Sequence, residues 1–525
     1  MIYALAVALA CVLASRGLIH YFQLESYQCP GYFRTLKRNW KNALLPGAIL
    51  FLLLICLNLV WNALSGKDAA THAGYIAGMI IASVGAVAMG ALLYWIASKQ
   101  KAKKALVFTP RIKRLYAVAV VVFAIICCLL PGKALFLFPL LLPLWVALAG
   151  LLAWPIEKLI SEMYFRDAQR ILKNRPDLIK IGITGSYGKT SVKFILGTML
   201  SEKYQTLVTP SSFNTPMGVT KIIRTKLQPA HQVFVAEMGA RHVGDIKEMC
   251  RLVHPYHGVL TSVGPQHLDT FKTIERIKKT KYELMDAIPE GGCCFFPDDG
   301  AICRELYDKT AKAKRLCCLN SNGVADVWAE DVTVSPAGSR FNLCTREGSI
   351  LCETKLLGEH NIQNILLAAT VCLHLGLTLR QISRGIARLA PVEHRLQLIP
   401  STGVTIIDDA FNSNPRGAEA ALRVIREFPG RRIIITPGMV ELGQGEDEFN
   451  REFGRKMADC VDVAILVGVK HTQPIAEGLK EAGFGEENIH PVKSLDEAAA
   501  LLRQIGKPGD VALFENDLPD NYSEQ

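Results

Sequence analysis

The chain has 525 residues, half of them hydrophobic, with a formal charge of +11 and a mean hydropathy of +0.22. Residues 1–155 contain 14 Lys/Arg and 2 Asp/Glu, so this part carries +12 and the remaining 370 residues carry −1. The positive charge does not come from a basic patch outside the hydrophobic part, and it gives no support for nucleic-acid binding. The length leaves room for about three domains.

Apolar segments fill the first 155 residues. Four of them approach or reach the roughly 20 residues that cross a bilayer, and a shorter one opens the chain. The first positive charge, Arg16, follows the opening segment instead of preceding it, which favours an anchor over a cleaved signal peptide. We therefore predict a transmembrane region of five helices over residues 1–155. The five segments are 2–15, 43–64, 75–98, 115–131 and 134–153.

Loop charges predict the orientation of these segments. Segments 16–42 and 99–114 contain five and seven Lys/Arg, whereas 65–74 and 131–133 contain one each. Basic loops face the cytoplasm, so we predict a multi-pass protein of the cell membrane with its N-terminus outside and its catalytic domains cytoplasmic. No acidic or basic residue lies inside the five segments, so an ion path is not indicated. The pattern of residues 156–176 predicts an amphipathic connector, which ends at Pro176.

A glycine-containing loop follows a strand pattern at 178–183 and precedes a helix. This order is typical of a P-loop, in which backbone N–H groups, a lysine and a hydroxyl bind the phosphates and magnesium of a nucleotide. The spacing is not the standard one, because Ile183 stands where that pattern has glycine. The residues predicted to bind ATP here are Gly185, Ser186, Gly188, Lys189, Thr190 and Ser191.

Side chains that could bind a metal ion follow the next two strand patterns. Glu237 ends a buried strand pattern in "VFVAEMGARHVGDI", and His267 follows another in "GVLTSVGPQHLD". Open parallel sheets bind ligands at the carboxyl ends of their strands, so both side chains are candidate metal ligands. Lys281 lies in the helix pattern 277–288 that comes next.

In this order the stretches resemble the Mur ligases, the ATP-dependent amide-forming enzymes of peptidoglycan synthesis. They are most similar to the MurF type, which adds D-alanyl-D-alanine to UDP-N-acetylmuramoyl-tripeptide. The resemblance runs over about residues 178–470. The similar stretches are TGSYGKTS, NTPMGV (214–219), EMGARHVGDI, GPQHLD, KTKYEL, GEHNIQN (358–364), EHR (393–395), IIDDAFNSNP (406–415) and PGMVELG (437–443).

The resemblance implies an α/β fold after the transmembrane region. A central ATP-binding domain with a parallel sheet is expected at 177–391, and a smaller Rossmann-like domain at 392–525. Strand patterns in this last domain lie at 404–409, 431–437, 461–468 and 510–515, and helix patterns at 415–427, 446–458, 471–482 and 495–505. The family's C-terminal domain closes over ATP and brings the amine substrate.

The resemblance also implies roles for single residues. Lys189 is expected to bind the β- and γ-phosphates, Thr190 and Glu237 one magnesium ion, and His267 a second. Lys281 matches a lysine that is carbamylated in these enzymes. Further matches are Asn361 at the adenine, Arg395 near the phosphates, Asp408 or Asp409 at the ribose, and Asn214 beside the metals and the substrate.

The implied reaction joins a carboxylate acceptor to the amine of an amino acid or dipeptide through an acyl phosphate. In two respects the chain departs from the MurF pattern. The transmembrane region stands where MurF enzymes have a UDP-binding domain, and "FENDLPDNYSEQ" (514–525) stands where a Lys-Gly-Ser-Arg-like stretch is expected. These departures point to membrane lipid as a partner and to an acceptor linked to a lipid carrier, with the UDP-linked acceptor left open.

Three other functions are compatible with parts of the sequence. A membrane-anchored poly-amino-acid synthase of the poly-γ-glutamate kind has a related ATPase core, although DDAFNSNP and GMVELG favour the MurF type. A transport or signalling ATPase would also combine a P-loop with membrane spans. A non-catalytic scaffold would not need the lysines, the acid and the histidine that this chain keeps.

Overall fold

A computed structural model of the protein consists of two compact units, Met1–Glu162 and Met163–Gln525. Parts of the predicted loops 65–74, 99–114 and 131–133, and the end of the stretch 514–525, lie outside the described residues. The structure describes residues 1–64, 72–99, 105–131, 134–211, 213–399, 403–411 and 413–517.

The described elements of the first unit are helices, and the last of them runs on into the second unit. Four helices are long and apolar enough to cross a membrane, or five if α1 and α2, bent by 46° at Ser15, are counted as one span. The predicted segments fall on these helices, except that the segment 134–153 begins with a 3-10 helix, Ala134–Leu141, before α7. Insertion of the segments into a membrane stays a prediction. The helices are α1 (Ile2–Ala14), α2 (Arg16–Leu24), α3 (Cys29–Arg38), α4 (Trp40–Leu64), α5 (His72–Lys99), α6 (Pro110–Leu129) and α7 (Leu142–Lys173).

Helices α6 and α7 differ most from the predicted boundaries. The connector predicted at 156–176 is the end of α7, which continues through Pro155 to Lys173. Its two halves pack in different cores, since Ala153 belongs to the first unit's core and Phe165 to one in the second unit. Helix α6 begins at Pro110, five residues before the predicted span, because Thr109 caps its first turn by accepting a hydrogen bond from the Ile112 N–H.

A nine-stranded sheet forms the centre of the second unit, in the order β2-β3-β1-β4-β5-β6-β7-β8-β9. Strands β1 to β7 pair in parallel, and β7, β8 and β9 continue as an antiparallel meander that the sequence patterns did not predict. The strands are β1 (Ile179–Thr184), β2 (Thr206–Val208), β3 (Val233–Glu237), β4 (His257–Leu260), β5 (Cys293–Pro297), β6 (Lys314–Cys317), β7 (Val327–Ser335), β8 (Gly338–Thr345) and β9 (Gly348–Thr354).

Helices cover this sheet and enclose apolar cores. Strands β1 and β3 are rich in β-branched residues and β3 is buried throughout, as expected for a parallel sheet covered on both faces. The helices are α8 (Lys189–Leu200), α9 (Pro216–Lys226), α10 (Asp245–Val253), α11 (Leu268–Phe271), α12 (Ile274–Ala287), α13 (Ile302–Lys309), α14 (Glu359–His374) and α15 (Leu379–Ala387).

A six-stranded sheet follows, in the order β10-β11-β15-β12-β13-β14, with only β10 antiparallel to its neighbour. All four predicted strands and all four predicted helices of this region are present. The strands are β10 (Gln397–Ile399), β11 (Thr405–Asp409), β12 (Arg432–Thr436), β13 (Val463–Val467), β14 (Ile489–Val492) and β15 (Val511–Glu515). The helices are α16 (Pro415–Arg426), α17 (Glu446–Ala458), α18 (Gln473–Glu481) and α19 (Leu495–Ile505).

Candidate active site

The predicted phosphate loop connects β1 to α8 at the centre of the larger sheet. Gly185 has φ of +154° and a Cβ there would lie 2.1 Å from Thr261 Oγ1, so this position requires glycine. Gly188 is left-handed, with φ of +77°, and precedes the first residue of α8. Ile183, which departs from the standard P-loop spacing, is fully buried in β1, where its side chain contributes to the core.

The loop after β4 holds the phosphate loop in place. Ser262 accepts hydrogen bonds from two consecutive N–H groups, those of Ser186 at its carbonyl (2.8 Å) and Tyr187 at its hydroxyl (2.8 Å). The Ser186 hydroxyl donates to the Gly264 carbonyl at 3.0 Å. These hydrogen bonds hold Ser186 and Tyr187 in place before any nucleotide binds, which lowers the entropic cost of ordering the phosphate loop on binding.

Lys189 curls back over the loop that precedes it. Its ammonium donates to the carbonyl oxygens of Gly185 (2.6 Å) and Ser186 (2.9 Å). Burial lowers the pKa of Lys189 to about 8, although the Glu237 carboxylate acts in the opposite direction. A phosphate group offers this desolvated cation stronger, charge-assisted partners than the two carbonyls do.

Glu237 lies at the carboxyl end of β3 and forms a buried polar cluster. Its Oε1 accepts hydrogen bonds from Thr190 Oγ1 and Asn214 Nδ2, both at 3.1 Å, and its Oε2 is 2.9 Å from Lys193 Nζ. Burial raises the pKa of Glu237, but Lys193 and Lys189 outweigh this and hold the pKa below its usual value. The structure thus brings together Thr190, Asn214 and Glu237, which the sequence analysis assigned to one metal and its surroundings.

Lys193 is a member of this cluster that the sequence analysis missed. It is fully buried, and besides Glu237 it donates to the Ser211 carbonyl. Its position four residues after Lys189 places both lysines on one face of α8, and this spacing is a signal that the sequence does contain.

The Thr190–Glu237 pair fits a magnesium ion. Octahedral coordination at 2.0–2.1 Å places neighbouring oxygen ligands about 2.9 Å apart, close to the 3.1 Å between Thr190 Oγ1 and Glu237 Oε1. Oxygen ligands from a hydroxyl and a carboxylate are also the type that magnesium prefers. Among the residues that the structure describes, no group of three or more His, Cys, Asp and Glu could hold a metal. Phosphate oxygens and water would therefore complete the coordination.

His267 contacts the part of the second unit that contains the six-stranded sheet. Its Nδ1 is 2.6 Å from Oε2 of Glu441, which lies in the stretch PGMVELG, and Arg241 Nη2 is 3.8 Å from the other oxygen of Glu441. Burial lowers the pKa of His267, while the hydrogen bond to Glu441 acts in the opposite direction. The sequence analysis quoted the stretch for the resemblance but gave Glu441 no role.

Lys281 is buried in α12 and has no hydrogen-bond partner among the described residues. Its side chain is 1% exposed, and Nζ forms no hydrogen bond within the described part of the chain. Burial and the nearby Lys189 ammonium lower the pKa of Lys281 well below its usual value. The charge of Lys189 also acts on the pKa values of Glu237 and His267, so all three predicted residues lie within electrostatic range of the phosphate-loop lysine.

A cleft of about 350 Å³ lies beside α8 and α14. Three residues predicted to bind ATP, Ser191, Asn361 and Arg395, line it together with apolar walls that include Phe194 and Leu389. Asn361 Nδ2 donates to the Leu357 carbonyl at 2.9 Å, which directs its amide and leaves the Oδ1 acceptor for a base. An apolar slot with one amide suits a flat, polar-edged ring such as adenine.

The two predicted ribose carboxylates have different surroundings at the end of β11. Asp408 Oδ2 is 2.8 Å from His394 Nδ1. Asp409 lies beside Glu515 in the neighbouring strand β15, and burial together with Glu515 raises the pKa of Asp409 to about 8. Glu515 is buried and accepts hydrogen bonds from Ser413 and Thr436, and burial raises its pKa to about 7. The choice between Asp408 and Asp409 at the ribose stays open.

Comparison with known proteins places this geometry in a family. Residues 183–372 match the Mur ligase middle domain, and residues 394–515 match the Mur ligase, glutamate ligase domain. The UDP-N-acetylmuramoyl-tripeptide--D-alanyl-D-alanine ligase of Mycobacterium bovis is 31% identical over 359 residues, which cover 64% of this chain and 69% of the relative. The chain belongs to the Mur ligase family. It is therefore an ATP-dependent ligase, as the sequence analysis predicted.

Further Mur ligases agree with this assignment. The Escherichia coli enzyme of the same name is 30% identical over 305 residues, covering 57% of this chain and 67% of the relative. The crystal structure of MurF from Acinetobacter baumannii superposes with a TM-score of 0.63 at 25% identity, over 69% of this chain and 78% of that one. MurF from Thermotoga maritima, solved in complex with ADP, shares the fold with a TM-score of 0.61 at 24% identity.

Proposed function

We propose that this Mur ligase joins D-alanyl-D-alanine to the peptide carboxylate of a peptidoglycan precursor, with ATP and Mg²⁺. The similar enzymes named above carry this activity in their names, and neither the poly-amino-acid synthase nor the transport ATPase is favoured by them. The observation that carries the proposal is the hydrogen-bonded cluster of Thr190, Asn214 and Glu237 beside the phosphate loop, with Glu237, His267 and Lys281 all within electrostatic range of Lys189. It supplies the charges that phosphoryl transfer to a carboxylate needs.

The reaction has two chemical steps. An oxygen of the acceptor carboxylate attacks the γ-phosphorus, the bond to the β-γ bridging oxygen breaks, and ADP leaves. The amine nitrogen then attacks the carbonyl carbon of the acyl phosphate, and the tetrahedral intermediate expels inorganic phosphate as the nitrogen loses a proton. Both steps concentrate negative charge near the phosphate loop, so catalysis depends on positioning and charge neutralisation.

The described residues fit these demands. The Lys189 ammonium can exchange its two backbone carbonyls for phosphate oxygens without a change of position. Thr190 and Glu237 would hold Mg²⁺, which when bound polarises the γ-phosphoryl group, and Asn214 holds the Glu237 carboxylate in place. Asn361 and the cleft would hold adenine, and the contact of His267 with Glu441 would help to exclude water from the acyl phosphate.

Carbamylation of Lys281 is part of the proposal. A neutral amine reacts with CO2 to give a carbamate and a proton, and burial keeps this amine neutral. The carbamate adds a carboxylate beside Lys189 that would help to hold the second magnesium ion with His267. An unpaired buried Nζ supports this assignment, because the lysine otherwise carries the cost of an unsatisfied polar group.

The membrane location and the lipid-linked acceptor are also proposals. Helices α4, α5, α6 and α7 are long and apolar enough to span a bilayer, with α1 and α2 as a fifth, bent span. The basic loops favour an outside N-terminus and cytoplasmic catalytic domains. An acceptor carried on a membrane lipid would explain why a soluble reaction is attached to a membrane. Phosphatase and fluorescent-protein fusions at each terminus test this topology, and a cytoplasmic N-terminus would contradict it.

The substrates can be tested with the full chain in detergent. ATP-dependent phosphate release is measured with D-alanyl-D-alanine and either UDP-linked or lipid-linked muramoyl-tripeptide, and the product is identified by mass. Turnover with D-alanyl-D-alanine that is lost in Lys189→Ala supports the proposal. Equal rates with both acceptors after removal of residues 1–155 would refute the lipid-linked acceptor, and turnover only with another amine would refute the assigned donor.

A further inference from the structure

A cleft of about 280 Å³ lies within the helical unit, between α2, α6 and α7. It combines charged and aromatic side chains, which is unusual for a part of the chain that otherwise packs through apolar residues. None of the residues assigned to the ligase site is among those that line it. The side chains used below are Phe22, Tyr27, Arg111, Leu115, Trp154 and Glu157.

The cleft has an excess of positive charge. Arg114 occupies both oxygens of the Glu157 carboxylate, with Nε–Oε1 at 2.5 Å and Nη2–Oε2 at 2.8 Å. Arg111 is left outside this two-pronged pair, because its Nε is 3.7 Å from Oε2, beyond hydrogen-bond distance. That Nε is buried and has no hydrogen-bond partner among the described residues. Two guanidinium groups face one carboxylate, and the local charge is +1.

Aromatic and aliphatic groups form the rest of the wall. The Arg111 guanidinium carbon lies 3.9 Å from the centre of the Tyr27 ring, so the cation is held over an aromatic face. Phe22 and Leu115 are buried, and Trp154 is half exposed. Gly150 permits the approach of Phe22, since a Cβ there would lie 2.4 Å from the ring. A ligand in this cleft would meet a cation and an apolar surface at once.

The position of the cleft matches a membrane boundary. Arg111 is the second residue of α6 and lies within the predicted basic loop 99–114, and Glu157 follows the predicted span 134–153 by four residues. In the proposed topology both ends lie on the cytoplasmic side. Basic pockets between helices on the cytoplasmic side bind lipid head groups.

We propose that this cleft binds the phosphate group of a membrane lipid whose head group carries a net negative charge, with Arg111 on the phosphate and Phe22, Leu115 and Trp154 along the lipid chain. The inference rests on the proposed membrane location of the helical unit. A phospholipid and a polyprenyl diphosphate share this chemistry, and the second would link the cleft to the acceptor of the ligase reaction. A soluble anion would use Arg111 but gain nothing from the apolar wall.

Equilibrium binding to the full chain in an uncharged detergent tests the proposal. Four probes are titrated and followed by native mass spectrometry: short-chain phosphatidylglycerol, short-chain phosphatidylcholine, farnesyl diphosphate and inorganic pyrophosphate. Phosphatidylglycerol or farnesyl diphosphate is expected to bind at least tenfold more tightly than phosphatidylcholine and pyrophosphate. Tighter binding of one of the two lipids identifies the source of the phosphate.

Three variants assign the binding to the cleft. Arg111→Gln should weaken binding at least tenfold, because a charge-assisted hydrogen bond is lost. Arg34→Gln, a matched change at an exposed arginine of α3, should leave it within twofold. Glu157→Gln removes the competing carboxylate from Arg114 and should tighten binding, so it tests the proposal even if Arg111→Gln fails to fold.

Several results would overturn the inference. Unchanged affinity in Arg111→Gln, weaker binding in Glu157→Gln, or equal affinity for phosphatidylcholine would each do so, and pyrophosphate binding as tightly as the lipids would point to a soluble anion instead. Ligase activity is measured on the same preparations. An active, membrane-embedded ligase that binds no lipid refutes the cleft alone, whereas recovery of the intact chain from the soluble fraction refutes the membrane location.

Discussion

Lys281→Met separates the chemical role of Lys281 from its place in the fold. Lys281 and Lys193 are both fully buried beside the phosphate loop, yet Lys193 is 2.9 Å from Glu237 and Lys281 has no hydrogen-bond partner within the described residues. Methionine has a similar length and no charge, so it fills either position with an apolar chain. The two substitutions should therefore have opposite effects on stability.

The expected magnitudes follow from these surroundings. An unsatisfied buried polar group costs about 1–3 kcal/mol, so Lys281→Met should leave the free energy of unfolding unchanged or raise it by that amount. Lys193→Met removes the cation that is ion-paired with the buried Glu237 carboxylate and should lower the free energy of unfolding by about 3–5 kcal/mol. For domains of this size the second change lowers Tm by roughly 10 °C. Lys279→Met, at an exposed lysine of the same helix as Lys281, should change nothing.

Activity is measured on the same variants. Loss of the carbamate should lower the kcat of Lys281→Met at least 100-fold, a loss of the size seen when one charge-stabilising group is removed from an active site. Wild-type kcat should fall in CO2-depleted buffer and recover with bicarbonate, and a short carboxylic acid should partly restore Lys281→Ala. A Lys281→Met enzyme that turns over at the wild-type rate, or one destabilised as much as Lys193→Met, would refute the reasoning.

Three further changes test other parts of the site. Asn361→Ala should raise KM for ATP about tenfold with little change in kcat, because it removes the hydrogen-bond acceptor proposed to bind adenine. An unchanged KM would show that adenine binds elsewhere. Glu441→Ala should lower kcat about tenfold and leave ATP affinity unchanged, since it breaks the contact with His267; equal kcat would contradict a role in closure. Burial raises the pKa of Glu515 from 4.5 to about 7, so the folded state favours the protonated acid and loses up to about 3 kcal/mol as pH rises from 4.5 through 7. Melting curves from pH 5 to 8 should show this loss in the wild type and a smaller one in Glu515→Gln; parallel curves would contradict it.

Local patterns in the sequence predicted much of the fold. Strand β3 ends at Glu237, as its buried β-branched run indicates, and the glycines of the phosphate loop have the backbone angles that their positions require. The apolar segments of the first 155 residues form helices, as expected from their long runs of apolar residues. Strand β14 was missed because it has four residues, one of them Pro491, and such a run carries little pattern.

Partners distant in the sequence could not be predicted. The contact of His267 with Glu441 joins positions 174 residues apart, and that of Lys193 with Glu237 joins positions 44 apart. A sequence pattern shows that an acid follows a strand, but the cation that neutralises it depends on how helices pack over the sheet. Arg111 illustrates the same limit, because its place in the first turn of α6 follows from a helix start five residues earlier than hydropathy indicates.

The most direct test of the account is whether an oxygen of the acceptor carboxylate ends up in the released phosphate. The full chain in detergent is given ATP, D-alanyl-D-alanine and muramoyl-tripeptide acceptor labelled with ¹⁸O in its reacting carboxylate, and the released phosphate is analysed by mass. The acyl-phosphate mechanism predicts one ¹⁸O in each phosphate, with ADP and the amide formed in equal amounts. Phosphate without ¹⁸O, or ATP hydrolysis that needs neither substrate, would contradict a ligase of this type.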